Sequence, residues 1–497
     1  GGNASYARIY SNNSTSEGSS NSSGNIFAFI PQIAPIYPLY VRDGEGNIRR
    51  DSFGNIIYDH GTATKEGSNA GLERPFLTNA NAYAAHLLDR HDSTQNTASF
   101  NGFVDVILPL GFKFSFNGGT SLKQYDSVAT SNIYYGSGVS NNGGLSRESG
   151  IYWSYTLQQI LTWNYTFADI HNVDIMLGHE NNYEMTQYTG AYKTGMFSNN
   201  SSQFGQTLKV VSASSGFGEY NNEGYLFRGQ YDYDGRIFGS VSYRRDASSR
   251  FHPDHRWGNF WSLSAAWLIN KESWFNASWI DELKVKASYG SQGNDSISDF
   301  LYTDRYTIAN DGTDNWSIRF SSKGNKNITW ETNANFNAGV DFTLFGSKLS
   351  GTIEYFSRKT SDMLYSKPVA NSNGYSSIPV NIGSMTNSGM EIELSYTPIE
   401  TKNLKWSLFG NATFSKNKIN ELDPELNGEW ISGSTIYTEG ESMYRSYIVK
   451  YAGVDAATGN PLYWTKTTPA SDATEEEKNM YHYLDDKEFL HDMRALS

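Results

Sequence analysis

The sequence predicts an all-β chain: a transmembrane antiparallel β-barrel, present in part, with long extracellular loops. Three observations predict it. Runs of alternating apolar and polar residues recur along the chain, and most reach the ~9–11 residues a tilted strand needs to cross a bilayer, where soluble strands average ~5–6. Short turns alternate with long polar connections, the asymmetry of outer-membrane barrels. The composition is hydrophilic yet rich in aromatic residues. Barrel strands average out as hydrophilic because apolar-out alternates with polar-in, and aromatic girdles mark both membrane interfaces.

About twelve strands are recognisable, arranged as hairpins. Ser99–Leu108 and Gly111–Leu122 flank Pro109-Leu110, with Phe112, Phe114 and Phe116 alternating against Lys113, Ser115 and Asn117. Ile151–Phe167 pairs with His171–Gly178. Gly224–Tyr233 and Arg236–Arg245 are joined by Asp234-Gly235, a favoured type I′ hairpin turn. Trp257–Ile269 pairs with Asp281–Ser291, where Val285, Ala287 and Tyr289 face one way and Lys284, Lys286 and Ser288 the other. Ile328–Leu344 pairs with Leu349–Ser357, and Met390–Tyr396 with Leu404–Phe414. Between hairpins lie Lys123–Gly150, Asn182–Glu223, Gln292–Asn327 and Arg358–Gly389, rich in Ser, Asn, Gly and Tyr. These are expected outside the cell and the short turns in the periplasm.

The 497 residues include no Cys, 27 Phe, 12 Trp and 34 Tyr, with a formal net charge of −13 and a mean hydropathy of −0.55. Disulfides and Cys-based metal sites are excluded. Scattered Lys and Arg argue against a nucleic-acid footprint. No stretch approaches the ~18 apolar residues of a membrane helix, a test that is blind to barrels. The first residues are not a signal peptide, so the expectation is a fragment whose leader lies upstream.

The organisation expected is an extracellular loop region over 1–97, barrel strands with their loops over 98–415, and a second loop region over 416–497, truncated before the final strands. Helical candidates are Asn79–Arg90 and the acidic stretch Glu475–Leu496. A small repeat, Asp43–Ile48 and Asp51–Ile56, reads as two turns. A barrel cannot leave an unpaired edge in lipid, so missing strands are expected from a longer polypeptide.

Chemical sites are sparse. His252 and His255 sit in a turn, and a metal there is the weaker reading; His171 and His179 flank a strand. The Asp43–Asn47 turn lacks the distal Glu of a calcium loop. No metal, cofactor or catalytic residue is assigned, and no nucleophile or phosphate-binding motif is present. The candidate substrate-binding residues are loop aromatics set among amides: Tyr134, Tyr135, Trp316, Tyr375, Trp430 and Tyr437. Aromatic faces beside amides suit sugar rings, while the plainer reading is that such loops pack on one another. The candidate partner-binding residues are the apolar run Phe29, Ile33, Ile36, Tyr37, Leu39 and Tyr40. An exposed patch of this kind marks an interface; the alternative is that it folds back onto the barrel mouth.

Several stretches resemble SusC/RagA-type TonB-dependent outer-membrane transporters. Ile33–Asp43 followed by Asn55–Asp59 is similar to a loop of that family. Tyr243–Phe251, Arg256–Phe260 and Ser264–Trp267 resemble its barrel signature, and Leu283–Gly290 with Gln292–Asn294 resembles the next strand. Asn327–Glu331, Thr360–Tyr365, Asn381–Gly383, Asn387–Gly389, Gly453–Asp455 and Thr458–Tyr463 follow in the family's order. The resemblance implies about 22 strands, a plug, a TonB box and a SusD-like surface lipoprotein as partner. The plug, the TonB box and the first and last strands have no counterpart in this sequence, so TonB would act through parts outside it. The resemblance further implies import of a bulky nutrient, an oligosaccharide first and a peptide second, and no enzymatic activity. The competing readings are a passive porin, an outer-membrane enzyme and a secreted β-rich binding protein.

The loop assignment is testable. Epitope tags placed near Asn141 or Asn373 should bind antibody on intact cells. Tags near Asp234 or Lys402 should bind only after the outer membrane is opened, and the reverse pattern would invert the topology.

Overall fold

A computed structural model of the chain describes residues 1–12, 35–52, 54–61, 81–134, 136–310, 315–449, 451–465 and 481–483. Its centre is an antiparallel sheet of thirteen strands in an order that follows the sequence. An edge strand β1 (Gly2–Asn12) pairs with β2 (Arg90–Ile107); a short helix α1 (Ala82–Leu88) precedes β2. The sheet continues through β3 (Phe112–Ser131), β4 (Gly144–Phe167), β5 (His171–Met196) and β6 (Thr207–Tyr233). Next come β7 (Ile237–Ser248), β8 (Trp257–Leu268) and β9 (Ile280–Asn294). A detached hairpin, β10 (Arg305–Asn310) and β11 (Trp316–Ser322), interrupts the order before β12 (Glu331–Leu344) and β13 (Leu349–Ser361). A second, β14 (Leu364–Pro368) and β15 (Ser377–Asn381), precedes β16 (Ser384–Glu400) and β17 (Lys405–Glu421), the other edge of the sheet. Beyond it lie the pair β18 (Glu429–Ser432) and β19 (Thr435–Thr438), then β20 (Tyr451–Val454), β21 (Pro461–Thr465) and β22 (Tyr481–Tyr483).

The chain divides into two compact units. The first is Gly1–Asp105, Ser115–Gln159 and Glu180–Asn221; the second is Val106–Phe114, Ile160–His179 and Asn222–Ser497. In the first, Val41, Arg49 and Ile57 close a ring: Arg49 N donates to Val41 O, Ile57 N to Arg49 O, and Val41 N to Ile57 O. The repeat anticipated from sequence is here geometrically equivalent. Asn47 N and Asn55 N each donate to the Oδ1 of the aspartate four residues earlier at 2.8 Å, and Arg42 and Arg50 each donate to the carbonyl of Gly46 or Gly54. Asp43 lies below the usual carboxylate range, chiefly because the Asn47 amide bonds its ionised form.

In the second unit the alternation reads as two opposite surfaces. Along β8, Trp261, Leu263 and Trp267 are exposed, while Ser262, Ser264 and Ala266 between them are partly covered. A soluble sheet would bury the apolar side; this one presents it outward, as a wall facing hydrocarbon does. Trp257 and Trp267 stand ten residues apart on β8. That is ~33 Å along a strand, and with a tilt of ~35–45° it matches an apolar band ~25 Å tall. Both tryptophans sit in interfacial company. Trp257 stacks on Tyr225 at 6.1 Å under the Arg245 guanidinium, and Trp267 Nε1 donates to Glu272 Oε1 at 3.0 Å beside Trp274. At the hairpin between β6 and β7, Asp234 (φ 53°) and Gly235 (φ 62°) both take the left-handed conformation, as a type I′ turn requires.

Several sequence expectations are corrected. All the anticipated strands are present, but many are longer. Most of Asn182–Glu223, read as loop, is strand: β5 runs to Met196 and β6 starts at Thr207, leaving a short connection. Polar, Ser- and Asn-rich sequence hides these extensions, because strand outside the lipid band has no apolar face to show. For the same reason Gly2–Asn12 and Arg90–Thr97 lie in the sheet, not in a loop region, and β17 continues to Glu421. The first helix is Ala82–Leu88, shorter than expected. Of the acidic stretch read as helical, Tyr481–Tyr483 is a strand parallel to β21, and its other members lie outside the described residues.

The two-sided wall sets a prediction. Leu263→Arg places a charge in the outward apolar face and should cost roughly 2–4 kcal/mol of barrel stability. Ser264→Arg, one residue on, faces the polar side and should cost much less. Heat-modifiable gel mobility of the two variants measures the difference; equal loss would mean the facing is wrong.

Candidate functional site

Two groups of polar and aromatic side chains are placed where a solute could meet them, both in the second unit. The first is the inner, polar face of the sheet. On β7 and β8, Ser240 bonds Ser264 at 2.7 Å and Ser242 bonds Ser262 at 2.6 Å. Asp174 of β5 meets Arg228 of β6 at 3.4 Å, and Asn172 Nδ2 donates to Asp232 at 3.3 Å. On β9, Lys286 reaches Asp341 of β12 at 2.8 Å and Glu354 of β13 at 3.4 Å. Gly339 stands directly between Lys286 and Glu354 in the register. A Cβ there would come within 2.8 Å of the Ile353 carbonyl, so the absence of a side chain lets the ammonium cross to the second carboxylate. A cavity of about 530 Å³ lies over this wall, bordered by Asn164, Asp232, Lys284, Lys286, Asn337 and Glu354 among others.

The second group belongs to the segments inserted beyond the sheet. Trp430 and Tyr437 are direct register partners on β18 and β19, and their rings stack at 5.0 Å, 20° from parallel. Tyr365 of β14 packs edge-on against Trp430 at 5.5 Å. Beside them Lys367 bonds Asp423 at 2.9 Å and Glu425 at 2.8 Å. These bonds, Glu425 first, raise the Lys367 ammonium above its usual range. Burial pushes the Tyr365 phenol up, helped by the charge of Asp423. Burial would also raise Asp423, but the Glu425 amide and then Lys367 hold it below the usual carboxylate value. The three rings pack on one another beside a charged triplet, as the plainer reading of such loops expects.

The remaining sequence candidates make contacts of their own. Trp316, at the start of β11, is exposed; Tyr375 packs on Phe320 at 5.9 Å. In the first unit, Tyr134 follows β3 and its amide donates to Asn132 Oδ1 at 3.0 Å; burial raises its phenol. Tyr135 lies outside the described residues. Of the run proposed for a partner, Phe29 and Ile33 also lie outside them. Ile36 is 84% exposed and Leu39 45%, Tyr37 is half-buried, and Tyr40 packs on Tyr58 at 5.5 Å. His252 bonds Asp254 at 3.3 Å and meets the edge of Tyr302, while the His255 carbonyl accepts from Thr329. His171 Nδ1 lies 2.7 Å from the Tyr231 hydroxyl, and His179 lies 3.4 Å from Glu223.

Sequence reading placed Lys286 on the inner face but passed over Asp174, Arg228, Glu354 and Tyr365. Each is one member of a cross-strand or cross-loop pair. The only usable signal would have been charge complementarity once the strand register was known.

Comparison with known proteins accords with this geometry. The curated TonB-dependent receptor SusC of Bacteroides thetaiotaomicron is 28% identical over 412 residues, which covers 78% of this chain and 40% of that protein. TonB-dependent receptor P39 of Formosa agariphila is 26% identical over 430 residues, 83% of this chain and 40% of its own length. The chain thus spans about two-fifths of the length of these relatives. Among solved structures, a chain of the RagAB peptide transporter superposes with a TM-score of 0.74 at 23% identity, covering 85% of this chain and 46% of that one. The family described as TonB dependent receptor-like, beta-barrel, matches residues 40–468, and this chain belongs to it.

Proposed function

We propose that this chain forms much of the barrel wall of an energised outer-membrane importer for a bulky nutrient. The observation that carries the reading is the pairing of an apolar outer face with a polar, ion-paired inner face on the same strands. A passage lined by serines, amides and paired charges lets a large hydrated solute move without deep trapping. Energy from TonB would arrive through a plug and TonB box outside these 497 residues. An oligosaccharide is the first substrate class, because the serines, amides and paired charges of the inner face can serve a hydroxyl-rich solute. A peptide is the second, favoured by the likeness to a structure named as a peptide transporter. The integral outer-membrane location, with long connections outward, follows the same reading. No enzymatic role is proposed.

Two experiments test it. In cells producing the full-length protein, uptake of a labelled oligosaccharide or peptide pool should stop when the proton-motive force is dissipated. Uptake that persists would mean a passive porin. Trp430→Ala with Tyr437→Ala should weaken binding of the imported class about tenfold, ~1.4 kcal/mol, with barrel folding intact; unchanged affinity removes these rings from the site.

The partner in this reading is a SusD-like surface lipoprotein, and Ile36 and Leu39 are its proposed contacts. Ile36→Asp with Leu39→Asp should reduce the lipoprotein recovered with the full-length barrel in detergent while leaving membrane insertion unchanged. A barrel that purifies alone from its native membrane would end the partner proposal.

A further inference from the structure

We propose that the detached hairpin of β10 and β11 is a capture site for an extended acidic peptide, which adds to it as a third strand. The inference rests on the importer reading above and concerns its second substrate class. Alternation along each strand sorts the side chains of the hairpin onto two faces. Tyr306 pairs with Phe320 and Ile308 with Ile318, so these four stand on one face, together with Trp316 two residues before Ile318. Thr307 opposite Arg319, and Ala309 opposite Ser317, stand on the other. The apolar face is open: Trp316 is 75% exposed, Ile318 70%, Ile308 64% and Tyr306 60%. Phe320, at the root, is partly covered by Tyr306 at 5.6 Å and by Tyr375 at 5.9 Å.

A two-stranded hairpin by itself is marginal in water, and a third strand or another apolar layer is what stabilises one. The root of this hairpin is held. Asp304 accepts from Lys323 Nζ and from the Gly324 amide, each at 2.9 Å, and the Asn325 amide donates to the Leu301 carbonyl. Beyond the root, among the described residues, neither strand has a second neighbour. Each therefore offers a line of unpaired amides and carbonyls beside an open apolar face, the arrangement that accepts an added strand.

Size and charge select the occupant. Strands of six and seven residues, rising ~3.4 Å per residue and set ~4.8 Å apart, make a face of roughly 200 Å² in outline. Even doubled for the relief of its side chains, it falls well short of the ~800 Å² that each partner gives to a stable protein interface. A second barrel or a folded lipoprotein is thus too large an occupant for this face alone, whereas one strand of about six residues covers it. Arg319 is exposed on the polar face, and Arg305, exposed at the root, donates from Nε to Ser322 Oγ at 3.0 Å. Among the described residues neither guanidinium meets a carboxylate, the nearby Asp304 being taken by Lys323. A peptide whose side chains alternate apolar and acidic satisfies both faces. Its apolar side chains continue the row of Ile308 and Ile318, and its carboxylates fall on the Arg319 side. An oligosaccharide has no backbone amides with which to continue the ladder.

The probe is a fluorescent peptide of alternating glutamate and valine, about six residues long, titrated by anisotropy against the full-length protein in detergent. Lysine in place of glutamate, or N-methylation of alternate amides, should each weaken binding about tenfold. Ile308→Asp with Ile318→Asp should do the same, with heat-modifiable mobility reporting that the barrel still folds. Arg319→Glu should reverse the preference, so that the lysine peptide binds better than the glutamate one, a gain that misfolding cannot produce. No binding, or an affinity unchanged by the variants and by N-methylation, would overturn the proposal. So would a lipoprotein or a second barrel lost from the purified complex of the Ile308 and Ile318 variant while peptide affinity stays the same. Peptide uptake that stops with the proton-motive force while binding ignores the hairpin would sink this inference alone. Uptake that persists would sink the importer reading, and a hairpin-dependent affinity would still stand.

Discussion

Backbone hydrogen bonding is the constraint on which the rest of this structure depends. In hydrocarbon, an unpaired amide or carbonyl costs several kcal/mol. A chain without apolar helices can therefore cross a bilayer only as strands that satisfy one another. The thirteen-strand order that simply follows the sequence is the plainest way to do so. Each strand pairs with its predecessor, turns stay short on one side, and every insertion moves to the other side, where water can serve the backbone.

Once pairing is fixed, the period of two residues per pleat assigns every side chain to one of two solvents. Lys286, Asp341 and Glu354 illustrate the inner solution. Their charges belong to three neighbouring strands of the sheet, and the one ammonium is shared between two carboxylates across the side-chain-free position Gly339. An acid at position 286 would leave three carboxylates facing each other, so this site tolerates charge reversal poorly despite facing the polar side. The outer face has no polar demand to meet, and shape is the only variable left to it.

Beyond the sheet, the inserted segments make small cores of their own. Phe251 and Ile328 are fully buried with Phe260 and Trp330, and the Trp330 indole donates to the Arg256 carbonyl at 2.8 Å. Asn381 donates to the carbonyls of Thr329 and Asp362, and accepts from the Thr329 amide. Such contacts fix the roots of the long connections. The stack of Trp430 with Tyr437 is likewise held by its strand register.

The sequence alone determined the class, the hairpins and the facing of the strands, because alternation and turn chemistry are local properties that single residues report. Phe112, Phe114 and Phe116 against Lys113 and Ser115 need no partner to be read, and neither does Asp234-Gly235. Strand length outside the lipid band was not legible: in polar stretches such as 182–196 neither face is apolar, and only the pairing partner holds the strand extended. Nor could the sequence tell which loop aromatics meet. Trp430 and Tyr437 stack, Tyr365 joins them from a distant insertion, and Trp316 stands apart. Those outcomes depend on register between strands. Register is set by the whole set of cross-strand bonds, and no single residue carries it.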